Sequence, residues 1–184
     1  MKRAVDLVLA VVGLVLTSPI LLGCVIAVRR SSPGPAIFRQ VRIGRDERPF
    51  TCLKLRTMYV DTAHAPSHEV GVSSVTPVGR TLRRLKLDEL PQLWNIVRGE
   101  MSLVGPRPCL PSQTELVAQR RIRGVNALVP GITGIAQVAG VDMSDPVRLA
   151  ELDAQYIPQQ SLWTDLKLIL ATVSGAGRGD RVRS

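Results

Sequence analysis

The chain has 184 residues, 45% apolar but only 3% aromatic, with a formal net charge of +9. That length fits one domain with a core of its own, and the scarcity of Phe, Trp and Tyr leaves that core to Leu, Val and Ile. Arginine supplies 20 of the 24 basic residues, which points to a phosphate-bearing partner; without interleaved aromatics or a recognisable motif, nucleic acid is excluded.

Residues 4–28 carry a single charge, Asp6, and otherwise read as a membrane segment. As one straight helix this stretch is about 37 Å long, more than the ~30 Å hydrocarbon core of a bilayer. Ser18-Pro19 falls near its middle, where proline removes a backbone hydrogen bond and bends a helix. Basic pairs flank it on both sides, Lys2-Arg3 and Arg29-Arg30, and the positive-inside rule keeps both cytoplasmic. A helix broken at Ser18-Pro19 that enters one leaflet and returns meets both observations. The Thr17 and Ser18 hydroxyls are then expected to take the carbonyls freed at the break. A plain transmembrane helix kinked at Pro19 and a cleaved signal peptide are the competing readings; the second lacks a small-residue cleavage site at a fitting distance.

A turn-rich linker over 31–35 leads to two short runs, 36–43 and 50–57, read as a β-hairpin with a long charged turn. Alternation puts Lys54 and Arg56 on one face, a place to hold a phosphate. Residues 61–76 are polar and aperiodic, a loop. Within it His64 and His68 stand four apart, but Pro66 between them argues against a helical zinc pair. Cys24, Cys52 and Cys109 have neither metal nor redox spacing and read as packing residues in a reducing compartment.

The remainder reads as helical. Helices are expected over 79–87 and 89–98, the latter stopped by Gly99. Residues 112–115 match a capping box opening a helix that ends near Gly124. Asp145-Pro146 opens another that stops before Pro158. A last one over 161–174 carries Leu162, Leu166, Ile169 and Val173 on one stripe, facing either a membrane surface or the core. No internal repeat and no second domain is visible.

The densest constellation lies over 80–108. Arg80, Arg83, Arg84 and Lys86 lead into Asp88-Glu89-Leu90-Pro91-Gln92-Leu93. Asp88 is expected as the N-cap of the following helix, with Pro91 tolerated in its first turn. Unpaired N–H groups and the helix dipole favour negative charge at such an end. The arginines reduce repulsion between carboxylate and phosphate, and magnesium held by one carboxylate plus substrate phosphates would do the same. An ionised aspartate so placed can attack phosphorus and divide one transfer into two steps. Downstream, Arg107 stands between Pro106 and Pro108 with little backbone freedom, which lowers the entropy lost on gripping a phosphate. On the residues alone the alternative stays open: Asp-Glu at a helix start is also an ordinary cap, and Pro-Arg-Pro an ordinary rigid connector.

Taken together these pieces resemble the bacterial sugar transferase family, small monotopic phosphoglycosyl transferases that begin glycan assembly on undecaprenyl phosphate. The resemblance runs from Lys2-Arg3 to the Leu166 region in family order. Its pieces are Asp6, Ser18-Pro19, Gly34-Pro35-Ala36-Ile37-Phe38-Arg39-Gln40 with Arg42 and Gly44, and Lys54-Leu55-Arg56-Thr57-Met58. Gly79 and Arg83, Asp88-Glu89-Leu90-Pro91-Gln92-Leu93, Gly99-Glu100-Met101-Ser102, Gly105-Pro106-Arg107-Pro108 and Pro130-Gly131-Ile132-Thr133-Gly134 follow.

The resemblance implies a mostly helical α+β fold with amphipathic surface helices and a small β-hairpin. Residues 1–30 would form a re-entrant membrane helix broken at Ser18-Pro19. Residues 31–184 would form a catalytic domain on the cytoplasmic face of the bacterial inner membrane, one unit with that helix. It implies a ping-pong reaction in which Asp88 attacks the β-phosphate of a UDP-sugar and releases UMP. Glu89 would then deprotonate the incoming polyprenyl phosphate, which displaces Asp88. Mg2+ would bind at Asp88, and Lys54, Arg83 and Arg107 would handle phosphate. The implied partners are UDP-sugar, polyprenyl phosphate and the membrane, with no nucleic acid and with homo-oligomerisation left open. Donors of the UDP-linked N-acetylated hexosamine type are expected first, with UDP-glucose and UDP-galactose close behind. Intact Asp88-Glu89 speaks against a non-catalytic partner protein. Glu100 departs from the commoner aspartate and Leu55 from the commoner phenylalanine. The multi-span half of larger members is not in this sequence, so a minimal catalytic unit is expected. The tail arginines Arg178, Arg181 and Arg183 have no family role and are expected on anionic headgroups.

Overall fold

Continuous apolar sequence over the first thirty residues produces helix α1, Lys2–Ser31, about 45 Å long. The computed structural model describes residues 1–60, 62 and 74–176. His64 and His68, most of the polar loop, and Arg178, Arg181 and Arg183 lie outside the described residues. By length and composition α1 could cross a membrane, and most of its apolar side chains are exposed, Leu16 by 72%. The expected break at Ser18-Pro19 is not an interruption, because α1 continues through Pro19. The missing N–H is answered locally. Ser18 Oγ donates to the Val15 carbonyl at 2.8 Å, the acceptor Pro19 cannot reach, and Thr17 Oγ1 donates to the Gly13 carbonyl at 2.7 Å.

What α1 does bury lies toward its two ends. In the first half Ala10 packs with Cys52, Ile96 and Met101, flanked by Phe50, Leu93 and Ile132. In the second half Cys24 and Val28 pack with Ala36, Leu55 and Leu82. Polar contacts lock the N-terminus down. Lys2 Nζ meets Asp165 Oδ2 at 2.6 Å, the Ser102 hydroxyl donates to Asp6 Oδ2 at 2.8 Å, and Arg3 donates to the Ile96 and Val97 carbonyls. The Tyr156 hydroxyl donates to the other Asp165 oxygen, and burial together with that carboxylate pushes the phenol far above its ordinary range.

Strands β1 (Ile37–Ile43) and β2 (Pro49–Leu55) form the expected antiparallel hairpin, with Phe38 opposite Lys54 and Gln40 opposite Cys52. Its charged turn is held against the body by Glu47, which accepts from Arg121 Nε and Asn126 Nδ2, both at 2.7 Å. Helix α2, Pro77–Arg84, starts earlier than expected because the Thr76 hydroxyl accepts from the Gly79 N–H and caps it. Helix α3, Gln92–Arg98, ends at left-handed Gly99 as anticipated. Its N-cap position is Pro91, without a side-chain cap; Asp88 lies instead in a 3-10 turn, Leu87–Glu89, which corrects the N-cap assignment.

Strand β3, Ser102–Val104, pairs in parallel with β4, Gly131–Thr133. Each is three residues long, too short to show alternation in sequence. The two approach at glycine: a Cβ on Gly131 would lie 2.1 Å from the Gly105 nitrogen, and one on Gly105 2.2 Å from the Val129 carbonyl oxygen. Helix α4, Thr114–Ile122, does not use the expected capping box; Gln113 Oε1 accepts from the Leu110 N–H instead. Helix α5 covers Ile135–Val138. Helix α6, Pro146–Gln159, opens on Asp145-Pro146 as expected and runs through Pro158 rather than stopping before it. The remaining core joins Leu116, Cys109, Ala136, Leu149 and Ala150. Helix α7, Leu162–Val173, is capped by Ser161 and turns its apolar residues outward, with Trp163, Leu166, Leu170 and Val173 all exposed.

Candidate functional site

Two segments distant in sequence converge on Glu89. Lys54, next to the end of β2, reaches Glu89 Oε1 with Nζ at 3.1 Å. Arg107, in the loop after β3, reaches the same oxygen with Nη2 at 2.8 Å. All three side chains are less than one-fifth exposed, and neighbouring Asp88 is only 6% exposed. Two cations on one carboxylate in so little water form a site where charge interactions are screened weakly.

The segment bearing the two carboxylates is aimed by an unusual backbone. Lys86 stands in the left-handed region (φ 56°) and so turns the chain sharply out of α2 into the 3-10 turn. Its ammonium donates to the Thr172 carbonyl in the last turn of α7 at 3.4 Å and to the Ala176 carbonyl just past that helix at 3.0 Å. Behind the turn, fully buried Asn95 ties α3 to β2. Its Nδ2 donates to the Thr51 carbonyl and Glu100 Oε2, both at 2.7 Å, and its Oδ1 accepts from the Leu53 N–H at 3.0 Å. The strand that carries Lys54 is thereby tied to the helix that follows the Asp88-Glu89 turn, and Glu100 serves that anchor.

The other expected phosphate ligands divide. Arg83 donates from Nε to Thr57 Oγ1 at 2.9 Å rather than joining Glu89, and its Nη1 is buried without a hydrogen-bond partner among the described residues. A buried, unsatisfied guanidinium nitrogen is costly unless a ligand completes it. Arg56 is turned to the linker: it is 5% exposed and donates to the Pro33 and Ser32 carbonyls at 2.6 and 2.7 Å, while its Nε is buried without a hydrogen-bond partner among the described residues. Strand alternation places it on the face of Lys54 but does not say what lies across that face. Gly34 is required there, with φ +108° and a Cβ position 2.4 Å from Arg56 Nη1. Arg56→Ala should lower stability by about 2 kcal/mol by leaving both carbonyls unanswered. A thermal melt checks this, and activity per folded molecule should stay within about threefold of the parent. Ser18 and Pro19 lie in mid-α1, outside this cluster.

Three supports were not foreseen from sequence: Asn95, Arg42 and the Arg120–Asp153 pair. Arg42 Nη1 donates to the Pro108 carbonyl and Arg120 Nη1 to the Arg107 carbonyl, each at 2.9 Å. Burial pushes the Asp153 carboxyl up despite the opposing pull of Arg120. A signal for Asp153 was present, since it interrupts the buried stripe of α6 between Leu149 and Tyr156. Burial also pushes the Cys52 and Cys109 thiols up, so they are inert packing groups.

Among the described residues no cluster of three or more His, Cys, Asp or Glu could hold a metal by itself. Magnesium does not need one, because one or two carboxylates and substrate phosphates suffice. Asp88 and Glu89 stand side by side at this site, so the carboxylate that such a shared arrangement needs is present.

A family model described as "Bacterial sugar transferase" matches residues 1–178. A Caulobacter vibrioides protein named "UDP-glucose:undecaprenyl-phosphate glucose-1-phosphate transferase" is 42% identical over 181 residues, covering 94% of this chain and 68% of that protein. A Komagataeibacter xylinus "Undecaprenyl-phosphate glucose phosphotransferase" is 39% identical over 191 residues, 94% of this chain and 35% of the relative. An Aeromonas hydrophila "UDP-N-acetylgalactosamine-undecaprenyl-phosphate N-acetylgalactosaminephosphotransferase" is 37% identical over 182 residues, 94% of this chain and 42% of the relative. The chain thus spans about two-thirds of the first of these relatives and less than half of the other two.

Proposed function

Because this chain belongs to the bacterial sugar transferase family, we propose that it moves a sugar-1-phosphate from a UDP-sugar to undecaprenyl phosphate and releases UMP. The observation that carries this reading is the convergence of Lys54 and Arg107 on Glu89 beside buried Asp88. A pyrophosphate donor meeting a carboxylate nucleophile brings two anions together, and cations already gathered at the site offset that repulsion.

In the first step an Asp88 oxygen attacks the β-phosphorus. The new P–O bond forms as the bond to the bridging oxygen breaks, and UMP departs with that electron pair. In the second step an oxygen of undecaprenyl phosphate attacks the same phosphorus, Glu89 accepts its proton, and the Asp88 carboxylate leaves. Lys54 and Arg107 pass from Glu89 to the phosphate oxygens as substrate enters, which frees Glu89 to take the proton. Arg83 completes its buried Nη1 on the same phosphates. Magnesium, held by Asp88 with substrate phosphates, would polarise the phosphoryl oxygens when bound.

Re-entry of α1 into a single leaflet is supported by its packing. Lys2 and Asp6 at one end and Cys24 and Val28 at the other are fastened to the same domain, whereas a spanning helix delivers its ends to opposite faces of the bilayer. The exposed apolar length between them and the exposed apolar residues of α7 are both suited to lie against lipid. The basic pairs put the domain on the cytoplasmic side. Single cysteines at Ala4 and Ser31, introduced in place of the native thiols, should both react with a membrane-impermeant maleimide in inside-out vesicles and neither in right-side-out ones. Labelling of the two from opposite sides would make α1 a span.

UDP-glucose is the donor to try first, since glucose appears in the names of relatives at 42% and 39% identity; UDP-N-acetylgalactosamine follows. The activity test is UMP formation by the full chain in lipid nanodiscs containing undecaprenyl phosphate. Formation of UMP and a lipid diphosphate-sugar from one of these donors is expected. Absence of both products with every donor would refute the reading.

A further inference from the structure

The guanidinium that closes on Glu89 hangs from a backbone that other guanidiniums hold. Arg120, from α4, donates by Nη1 to the Arg107 carbonyl at 2.9 Å and by Nε and Nη2 to Asp153 Oδ2 at 3.0 and 2.7 Å. Arg42, from β1, donates by Nη1 to the Pro108 carbonyl at 2.9 Å and by Nε and Nη2 to Gln40 Oε1 at 3.0 and 2.6 Å. Consecutive carbonyls of the Pro106-Arg107-Pro108 loop are thus gripped from two directions.

The Arg120 and Asp153 side chains are 6% and 1% exposed, and the adjoining core consists of Leu116, Leu149 and Ala150. Stability is a poor reason for such a pair. Desolvation offsets most of the attraction, and apolar residues of similar volume often serve as well or better. What apolar residues cannot supply is a donor for the Arg107 carbonyl. The flanking prolines already restrict rotation about this backbone. One fixed carbonyl therefore sets the direction in which the Arg107 side chain leaves the chain.

We propose that the Arg120–Asp153 pair is a positioning element for the transfer reaction, orienting the Arg107 backbone so that its guanidinium meets Glu89 and the transferred phosphate. The proposal rests on the reading of Asp88, Glu89 and Arg107 as the reacting site. Neither Arg120 nor Asp153 touches substrate; both act through Arg107. Displacing a phosphate-gripping group by about 1 Å is enough to cost on the order of a hundredfold in rate.

The test is a mutant cycle in the nanodisc UMP assay, with thermal melts of every variant. Arg120→Met combined with Asp153→Leu removes both charges and keeps the bulk, so no lone charge is left buried. Arg120→Lys is the second variant: it keeps a cation beside Asp153 but lacks the fork that serves Asp153 and the Arg107 carbonyl together. Both should melt near the parent and lose about 30-fold in kcat/KM. In an Arg107→Ala background each should add less than about threefold to the loss already present, because the pair then has nothing to aim. Equal fractional losses in the two backgrounds would overturn the proposal and leave the site in place. So would full activity in either variant, or melting far below the parent in both. Full activity of Arg107→Ala alone would overturn the site assignment, and the proposal with it.

Discussion

Asp88→Asn is expected to abolish sugar-phosphate transfer, lowering kcat by about 10⁴-fold or more, the scale seen when a nucleophile is removed from an otherwise intact site. Asparagine matches the volume of aspartate at a position only 6% exposed, so the change falls on chemistry rather than packing. The amide has no carboxylate electron pair to offer phosphorus, and the neighbouring Glu89 carboxylate serves the acceptor's proton in the second step rather than phosphorus in the first. The measurement is product formation in nanodiscs with membrane recovery and melting temperature followed alongside. Both physical properties should match the parent. Activity within tenfold of the parent would remove Asp88 from the nucleophile role.

Glu89→Gln produces a different failure, and the difference separates the two carboxylates. The amide oxygen of the substituted side chain can still accept a hydrogen bond from Lys54 or Arg107, but it cannot take a proton from the acceptor. Loss of a general base costs about 10²–10⁴-fold, and that loss should fall on the second half of the reaction. UMP should therefore appear in a single burst equal to the enzyme concentration, followed by slow turnover even with undecaprenyl phosphate in excess. Rapid-quench sampling of UMP reads the burst directly. Loss of the burst itself would move Glu89 into the first step, as a group that places the donor rather than one that activates the acceptor.

Local chemistry made much of the frame legible. Two short runs over 36–43 and 50–57 on either side of a charged turn mark the hairpin, and Asp145-Pro146 and Gly99 mark helix ends because their preferences are set within one turn. Other features depend on partners remote in sequence. Asp88 has the composition of an N-cap, yet left-handed Lys86, with its ammonium on the end of α7, turns the chain into a 3-10 turn first. The β3–β4 pair exists because glycines let segments near residues 105 and 131 approach, which three-residue strands cannot announce.

The site divides in the same way. Asp88, Glu89, Lys54 and Arg107 stand out as motifs, whereas Asn95, Arg42 and Arg120 are polar residues whose importance lies wholly in which carbonyl they reach. Lys54 and Arg56 are the sharpest contrast. Two basic residues on one strand face look equivalent in sequence. One faces Glu89, while the other is spent on the linker that follows α1.

Two-step transfer requires a covalent sugar-phosphate on Asp88, which intact-protein mass detects. The purified chain is mixed with Mg2+ and UDP-glucose or another UDP-sugar, without any lipid acceptor, and its mass is read after rapid acid quench. An increase equal to one sugar-phosphate is expected, absent in Asp88→Asn and discharged when undecaprenyl phosphate is added. UMP released only when acceptor is present, with no mass change at any time, would contradict it and make the transfer direct.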